Sequence, residues 1–102
     1  DDIMLVCSGE MGRTPRLNSR GGRDHWSKLA PLLLYGGGLK GGQVIGQSTR
    51  DGGEPTDNPI TPKHLIATIM HTLFDAGQLR LVSGIPNEVA QLAQADPIPG
   101  LI

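Results

Sequence analysis

Ile3-Met4-Leu5-Val6-Cys7 is an unbroken apolar run near the start of the chain, and Ser8-Gly9-Glu10-Met11-Gly12-Arg13 follows it directly. A run of this length between Asp-Asp and Ser-Gly predicts a β-strand that is buried on both faces, as in an α/β sheet. Open α/β sheets bind their ligands just beyond the ends of such strands. The segment after Ser8 is therefore predicted to contain a functional site.

A second apolar run, Leu29-Ala30-Pro31-Leu32-Leu33-Leu34-Tyr35, predicts another strand, and Gly36-Gly37-Gly38 ends it. Proline is tolerated near the start of a strand, where a missing N–H donor matters little. Residues 8–28 join the two runs and are rich in Gly, Pro, Arg, Asn and Ser, without the period of a strand or a helix. A loop that long inside a compact domain is usually functional.

The clearest helix signal covers about Pro62 to Ala76. Thr61 is a suitable N-cap, proline suits the first helical position, and Gly77 suits the residue after the last turn. The apolar face is predicted to contain Leu65, Ile66, Ile69, Met70, Leu73 and Phe74. A solvated polar face is predicted for the opposite stripe, which contains His64, Thr68, His71 and Asp75.

Five shorter elements are also predicted. They are a strand over Gln43–Gly46, a polar surface loop over Ser48–Asn58, an edge strand over Leu79–Val82, a short helix over Pro86–Ala95 and a Pro-rich tail over Asp96–Ile102. We expect a single partial domain over residues 1–102, with its core over about 3–77 and a weakly ordered C-terminal extension over 78–102.

Composition limits the function classes open to the chain. It has 102 residues, 15 glycines, 8 prolines and a formal net charge of −1, so its core is small and it has no basic field for nucleic acid. Its longest apolar run is far shorter than the ~18 residues of a membrane span. The single cysteine, Cys7, excludes an internal disulfide, and its place in an apolar run predicts a buried, inert thiol.

Four motifs resemble, in order, the C-terminal part of the domain-of-unknown-function 1501 family. They are Glu10-Met11-Gly12-Arg13-Thr14-Pro15-Arg16, Gly21-Gly22-Arg23-Asp24-His25-Trp26, Gly36-Gly37-Gly38-Leu39-Lys40-Gly41-Gly42-Gln43-Val44-Ile45-Gly46 and Thr61-Pro62-Lys63-His64-Leu65. The resemblance covers roughly residues 3–77. That family is similar to the alkaline phosphatase and sulfatase superfamily, whose full domains contain several hundred residues.

The resemblance implies a fold and an origin for the chain. The implied fold is α/β: a C-terminal fragment of an alkaline-phosphatase-like three-layer sandwich, with two or three strands, a long active-site loop and one main helix. The chain starts Asp1-Asp2-Ile3, without an initiator methionine or a signal peptide, which agrees with a fragment. The N-terminal remainder of the same protein is then its first partner, and a periplasmic or other extracytoplasmic location is implied.

The resemblance also implies metal and anion ligands. Glu10, His25 and Asp24 are the candidate ligands of a divalent ion, which could be zinc, calcium, magnesium or manganese, with Asp24 either a second carboxylate or a partner that orients His25. Arg13 and Arg23 are the candidate contacts for a small anionic ester, because a guanidinium matches an oxyanion by bidentate donation. A metal ion held there would polarise a phosphoryl or sulfuryl oxygen.

Simpler interpretations of the same residues stay open. A Glu after a strand can be a solvated or helix-capping carboxylate, and Asp24-His25-Trp26 can be a structural turn with the Trp packed beneath it. Ser8 with the downstream Asp and His lacks the Gly-x-Ser-x-Gly elbow of a serine hydrolase. Cys7 is not in a Cys-x-Pro-x-Arg setting, so a formylglycine nucleophile is not supported.

The glycine-rich segment Gly36 to Gly42 lacks the spacing of a phosphate-binding loop and predicts a tight strand-exit turn with positive φ angles. No catalytic nucleophile is identified in the chain. Two functions remain. The chain is part of a metal-dependent hydrolase of sulfate or phosphate esters, or it is a non-catalytic binding or structural module that keeps the fold. Met11 favours the second, because it stands where the superfamily has a histidine ligand.

Overall fold

A computed structural model describes residues 2–57, 59–79 and 81–102. In these residues the chain is a small α/β protein with two antiparallel two-stranded sheets and three helices. In chain order the elements are β1 (Met4–Ser8), β2 (Gly12–Arg13), β3 (His25–Trp26), β4 (Leu32–Gly36), α1 (Pro62–Leu73), α2 (Ala76–Leu79) and α3 (Asn87–Gln94). One sheet pairs β1 with β4, and the other pairs β2 with β3.

The larger sheet is formed by the two apolar runs, so both strand predictions are confirmed. The strands pair antiparallel over five residues each, from Met4 opposite Gly36 to Ser8 opposite Leu32. Proline at position 31 comes just before β4, outside the ladder. The two strands therefore lie side by side although 23 residues, 9–31, separate them in sequence.

The prediction that β1 is buried on both faces is wrong. Leu5 and Cys7 point to the same face as Leu33 and Tyr35, because directly opposite residues of an antiparallel pair share a face. All four side chains are exposed, and Tyr35 is 74% exposed. Because Cys7 is exposed, the prediction that its thiol is buried is wrong as well. The apolar run predicted a strand correctly, but no layer covers this face in the part of the chain that the structure describes.

The glycine turn after β4 is confirmed. Gly36, Gly37 and Gly38 all have positive φ angles, of 77°, 63° and 77°. A Cβ on Gly36 would run into the carbonyl oxygen of Ile3, and the N–H of Gly37 donates to that same oxygen at 2.9 Å. Glycine is required here because the turn brings two backbone segments together in a conformation that other residues rarely adopt.

Helix α1 begins where the sequence predicts and ends earlier. The ring Nδ1 of His64 accepts the backbone N–H of Thr61 at 3.0 Å, which caps the first turn. The helix ends at Leu73, and Asp75 Oδ1 accepts the N–H groups of Gly77 and Gln78, at 3.0 and 3.2 Å, as α2 begins. The prediction that Gly77 terminates the helix is wrong, because Asp75 starts a new helix before that glycine is reached.

The predicted solvated face of α1 is in fact its covered side. Thr68 is fully buried, and its Oγ1 accepts the N–H of Ile98 at 2.8 Å while donating to the carbonyl of His64 at 2.7 Å. His64 and His71 are half-buried; Asp75 alone is exposed in this stripe. The prediction is wrong because the C-terminal segment supplies a hydrogen-bond partner for the buried hydroxyl.

The C-terminal segment contributes most of the buried apolar side chains. Helix α3 packs against α1 and α2 and confirms the helix predicted over Pro86–Ala95 within one residue at each end. The buried hydrophobic residues of the described chain are Ala67, Ala93, Ile98 and Leu101. The predicted apolar face of α1 is less covered, since Ile66, Leu73 and Phe74 are exposed.

Two of the short predicted strands do not form. Residues 43–46 have no partner strand in the described chain, and Val44 is 96% exposed. The Gln43 side chain instead donates to the carbonyls of Lys40 and Gly100, at 2.8 and 2.9 Å. The edge strand predicted over Leu79–Val82 is also wrong, because α2 includes Leu79; Arg80 lies outside the described residues.

The polar loop predicted over Ser48–Asn58 is present. It contains one antiparallel bridge, between Ser48 and Pro55, and a turn in which Gly52 N–H donates to the Thr49 carbonyl at 2.8 Å. Asn58, the last residue of the predicted loop, lies outside the described residues. The turn brings the loop back toward β3, where the carbonyl of Gly53 meets the side chain of Trp26.

Candidate functional site

The long loop after β1 contains a hairpin that sequence periodicity could not detect. Strands β2 and β3 have two residues each, with Gly12 opposite Trp26 and Arg13 opposite His25. Gly12 is buried, and a Cβ there would overlap the carbonyl oxygen of Leu29. Only glycine lets the hairpin lie this close to the chain that leads into β4.

The hairpin separates the predicted site residues between its two faces. Arg13 and His25 are directly opposite each other, so both side chains lie on one face, and both are exposed. Successive residues of a strand point to opposite faces, so Asp24 and Trp26 lie on the other face. The N–H of Thr14 donates to the carbonyl of Asp24 at 2.9 Å, which extends the ladder by one pair.

The remaining anion and metal candidates lie around this hairpin. Arg13 Nη1 donates to the backbone carbonyl of Arg23 at 3.3 Å, so the Arg13 guanidinium lies beside the Arg23 backbone. Glu10 is exposed in the turn between β1 and β2. Within residues 2–57, 59–79 and 81–102, no group of three or more His, Cys, Asp or Glu side chains is arranged to hold a metal ion. The assignment of Glu10, His25 and Asp24 as ligands stays a prediction.

Asn18 organises the loop between β2 and β3. Its Oδ1 accepts the N–H groups of Arg20 and Gly22, at 2.9 and 3.0 Å, and its Nδ2 donates to Asp24 Oδ1 at 3.0 Å. An asparagine that bonds its neighbouring backbone in this way closes a turn. The carboxylate of Asp24 is therefore held by the loop itself, on the face opposite His25.

A second loop is fastened to the hairpin through Trp26. The indole Nε1 donates to the carbonyl of Gly53 at 2.7 Å in a partly buried contact. Lys28 forms an ion pair with Glu54 at 2.9 Å, and its Nζ lies 5.1 Å from the centre of the Trp26 ring. Trp26 therefore has a structural role: its side chain joins two loops. This agrees with the interpretation of Asp24-His25-Trp26 as a structural turn.

Asp51 lies in the second loop and was not predicted as a site residue. Its Oδ1 accepts the Thr49 hydroxyl at 2.6 Å and the Gly53 N–H at 3.0 Å. These two hydrogen bonds, with a smaller contribution from the positive charge of Arg16, lower the pKa of the Asp51 carboxyl below its ordinary value. The Asp-Gly-Gly sequence at this position indicates a turn, but no local signal shows that the turn faces the hairpin.

The two loops line a cavity of about 440 Å³ that is open to solvent on one side. Its polar and aromatic lining consists of Thr14, Arg16, Asn18, Asp24, Trp26 and Asp51. Asp24 is the one predicted site residue in this lining; Glu10, Arg13, Arg23 and His25 are not part of it. The described residues therefore present two separate surfaces, the Arg13 and His25 face of the hairpin and the cavity on its other side.

Comparison with known proteins identifies the family of the chain. The family model described as "Protein of unknown function (DUF1501)" matches residues 1–97, and the chain belongs to that family. No curated protein matches the sequence, and no solved structure matches the fold. Among the described residues, none of the helices has the length and apolar character needed to cross a membrane.

Proposed function

We propose that this chain forms part of the active site of a metal-dependent hydrolase of sulfate or phosphate esters and is not catalytic alone. The observation that supports this most directly is the pairing of Arg13 with His25 on one exposed face of the β2–β3 hairpin. A guanidinium binds an oxyanion through two parallel N–H donors, and a neutral imidazole is a common ligand of divalent metals. Side by side, the two groups suit a metal-bound anionic ester.

The donor set fits part of a metal site. Glu10 and His25 offer a carboxylate oxygen and an imidazole nitrogen, both on exposed side chains, and these donors suit zinc or manganese, while carboxylates also suit magnesium and calcium. When bound, the ion would polarise the ester oxygen and lower the pKa of a bound nucleophile. Asp24 stays the third ligand candidate, although its carboxylate lies across the hairpin from His25 and accepts a hydrogen bond from Asn18.

The other residues of the site have separate tasks in this proposal. Arg13 and Arg23 hold the sulfate or phosphate group of the substrate, and the Arg13 guanidinium lies beside the Arg23 backbone. We assign the nucleophile and the remaining ligands to the N-terminal remainder of the same protein. The alkaline-phosphatase-like sandwich and an extracytoplasmic, periplasmic location belong to the same proposal, which rests on the sequence resemblance.

One residue supports a second candidate function, a non-catalytic binding or structural module. Met11 is half-buried and stands where the resembled superfamily has a histidine ligand. A thioether is a poor ligand for hard or borderline divalent ions, so at least one of two metal positions would lack a ligand. Under this alternative the hairpin keeps its anion-binding arginines and loses hydrolysis.

Metal analysis of the protein that includes its N-terminal remainder tests the assignment. We expect Glu10→Gln and His25→Ala each to weaken metal binding by about tenfold or more, on the scale at which even residues behind the ligands affect affinity. Glu88→Gln removes an exposed carboxylate far along the chain, in the first turn of α3, and should retain wild-type metal content. Equal metal content in all four proteins would exclude Glu10 and His25 as ligands.

Turnover separates the two candidate functions. The hydrolase proposal expects the same protein to cleave 4-nitrophenyl sulfate or phosphate and the Arg13→Ala variant to lose most of that activity. Metal binding without any turnover would support the non-catalytic module. The isolated 102-residue chain should cleave neither ester, and turnover by it would contradict the assignment of the nucleophile to another segment.

A further inference from the structure

The cavity between the hairpin loop and the Asp51 turn has the size of a ligand site. Its volume of about 440 Å³ falls in the range of roughly 300–1,000 Å³ typical of small-molecule pockets. It lies on the Asp24 and Trp26 face of the hairpin, across from the pair proposed to bind metal and anion. Arg13 and His25 are not part of its lining, whereas Asp24, the third metal-ligand candidate, is.

The walls of the cavity are held in place by hydrogen bonds and an ion pair between neighbouring residues. Trp26 is bonded to the carbonyl of Gly53, and the ion pair between Lys28 and Glu54 adds a second connection between the loops. On the hairpin side, Asn18 fixes its own loop through three hydrogen bonds. Walls that are already ordered reduce the entropy lost when a ligand binds.

The lining of the cavity carries charges of both signs. Arg16 contributes one positive charge, and Asp24 and Asp51 contribute two negative charges, so the lining has a net charge of −1. A sulfate or phosphate group would meet two carboxylates, and an organic cation would meet the guanidinium. A neutral ligand that carries several hydroxyl groups avoids both conflicts, because a hydroxyl donates to a carboxylate and accepts from a guanidinium.

The Trp26 indole gives the cavity an apolar surface. The indole of Trp26 lines the cavity, and its one polar atom is already bonded to the Gly53 carbonyl, so it offers the ligand its apolar ring atoms. Sugar rings combine a C–H surface that packs on an aromatic ring with hydroxyls at the rim. We propose that this cavity binds a neutral saccharide, with Asp24, Asp51 and Arg16 as its hydrogen-bonding partners and Trp26 as its stacking surface.

A titration that follows Trp26 tests the proposal directly. This is the only tryptophan of the chain, so its indole N–H signal in NMR spectra and its fluorescence both report on the cavity. The full chain is titrated with glucose, galactose and maltose, and in parallel with tetramethylammonium and sodium sulfate. We expect at least one sugar to shift the indole signal saturably and neither salt to do so.

Matched variants test the assigned contacts. Asp51→Asn keeps an oxygen for the Thr49 and Gly53 donors but removes the charge, and it should weaken sugar binding about tenfold or more, because a hydrogen bond to a charged acceptor is stronger than one to a neutral acceptor. Arg16→Gln should also weaken sugar binding, because it removes the positive charge of the lining. Asp96→Asn, an exposed carboxylate outside the lining, should bind like the wild type.

Several outcomes would overturn the proposal. Absence of a saturable shift with all three sugars excludes the saccharide, and a shift with tetramethylammonium or sulfate alone assigns the cavity to another ligand class. Equal sugar affinity of Asp51→Asn, Arg16→Gln and wild type excludes the assigned contacts. Circular dichroism of each variant confirms that it is folded. None of these results depends on metal, so they leave the hydrolase proposal to its own test.

Discussion

The helical region and the β1–β4 sheet are both rich in apolar residues, yet they differ in what covers them. In α1, Ala67 and Thr68 are fully buried, and the C-terminal segment adds Ile98 to the same core. In β4, Leu33 and Tyr35 are 54% and 74% exposed. Apolar content thus predicts that an element forms, whereas its burial depends on another segment packing against it.

The two regions accordingly rely on different interactions. A two-stranded sheet alone is marginally stable in water, so β1 and β4 depend on their backbone ladder and on the glycine turn that aligns them. The helices depend on side-chain packing and on one buried hydroxyl. Pairs of matched variants, compared by their free energies of unfolding, should distinguish these two kinds of stabilisation.

The largest effect is expected for a truncation in the helical core. Ile98→Ala should lower the free energy of unfolding by about 2–5 kcal/mol, because it leaves a cavity beside a side chain that is 4% exposed. Leu33→Ala removes a similar side chain from the exposed face of β4. This variant should change the free energy of unfolding by only roughly 0.5 kcal/mol. Urea unfolding of both variants measures the difference; equal losses would break the contrast between the regions.

A backbone substitution should affect the sheet more than a side-chain truncation does. Gly36→Ala should lower the free energy of unfolding by about 2 kcal/mol or more, because its Cβ would meet the Ile3 carbonyl in a left-handed conformation. Gly38→Ala has the same φ angle of 77° but open space around its Cβ, and should cost about 1 kcal/mol. Similar urea midpoints for the two variants would show that the close approach to Ile3 does not matter.

The smallest of the three effects concerns the buried hydroxyl of α1. Thr68→Val preserves the shape of the side chain but leaves the N–H of Ile98 without its partner, which should cost about 1–2 kcal/mol. Thr72→Val removes only a hydroxyl that bonds the Thr68 carbonyl within the helix, and should change stability by a few tenths of a kcal/mol. Hydrogen exchange of the Ile98 amide should be faster in Thr68→Val and unchanged in Thr72→Val. Unchanged exchange in Thr68→Val would show that the Thr68 hydroxyl does not accept this hydrogen bond.

Much of the secondary structure was predictable because its signals are local. The runs around Leu5 and Leu33, the glycine turn, the start of α1 and the position of α3 all follow from neighbouring residues. The β2–β3 hairpin escaped prediction because strands of two residues are too short to show a period. The predicted end of α1 is wrong because Asp75 accepts the N–H groups of Gly77 and Gln78 and so begins α2.

The candidate site was also only partly predictable from the sequence. The sequence pointed to Arg13 and His25, and the hairpin register then put them side by side. It also grouped Asp24 with His25, although alternation along β3 sends their side chains to opposite faces. Asp51 could not be associated with Trp26 from sequence, because the bond that joins their loops connects positions 27 residues apart.

The family, the two apolar strands and the glycine turn at the end of β4 follow from local sequence alone, which also predicts residues that bind metal and anion. Which surfaces are covered depends on tertiary packing: Thr68 on the polar side of α1 is buried, whereas Leu33 and Tyr35 on one face of the sheet are exposed. The physical reason is that a hydrogen-bond partner such as the N–H of Ile98 makes a polar surface buriable, and such a partner can come from anywhere in the chain.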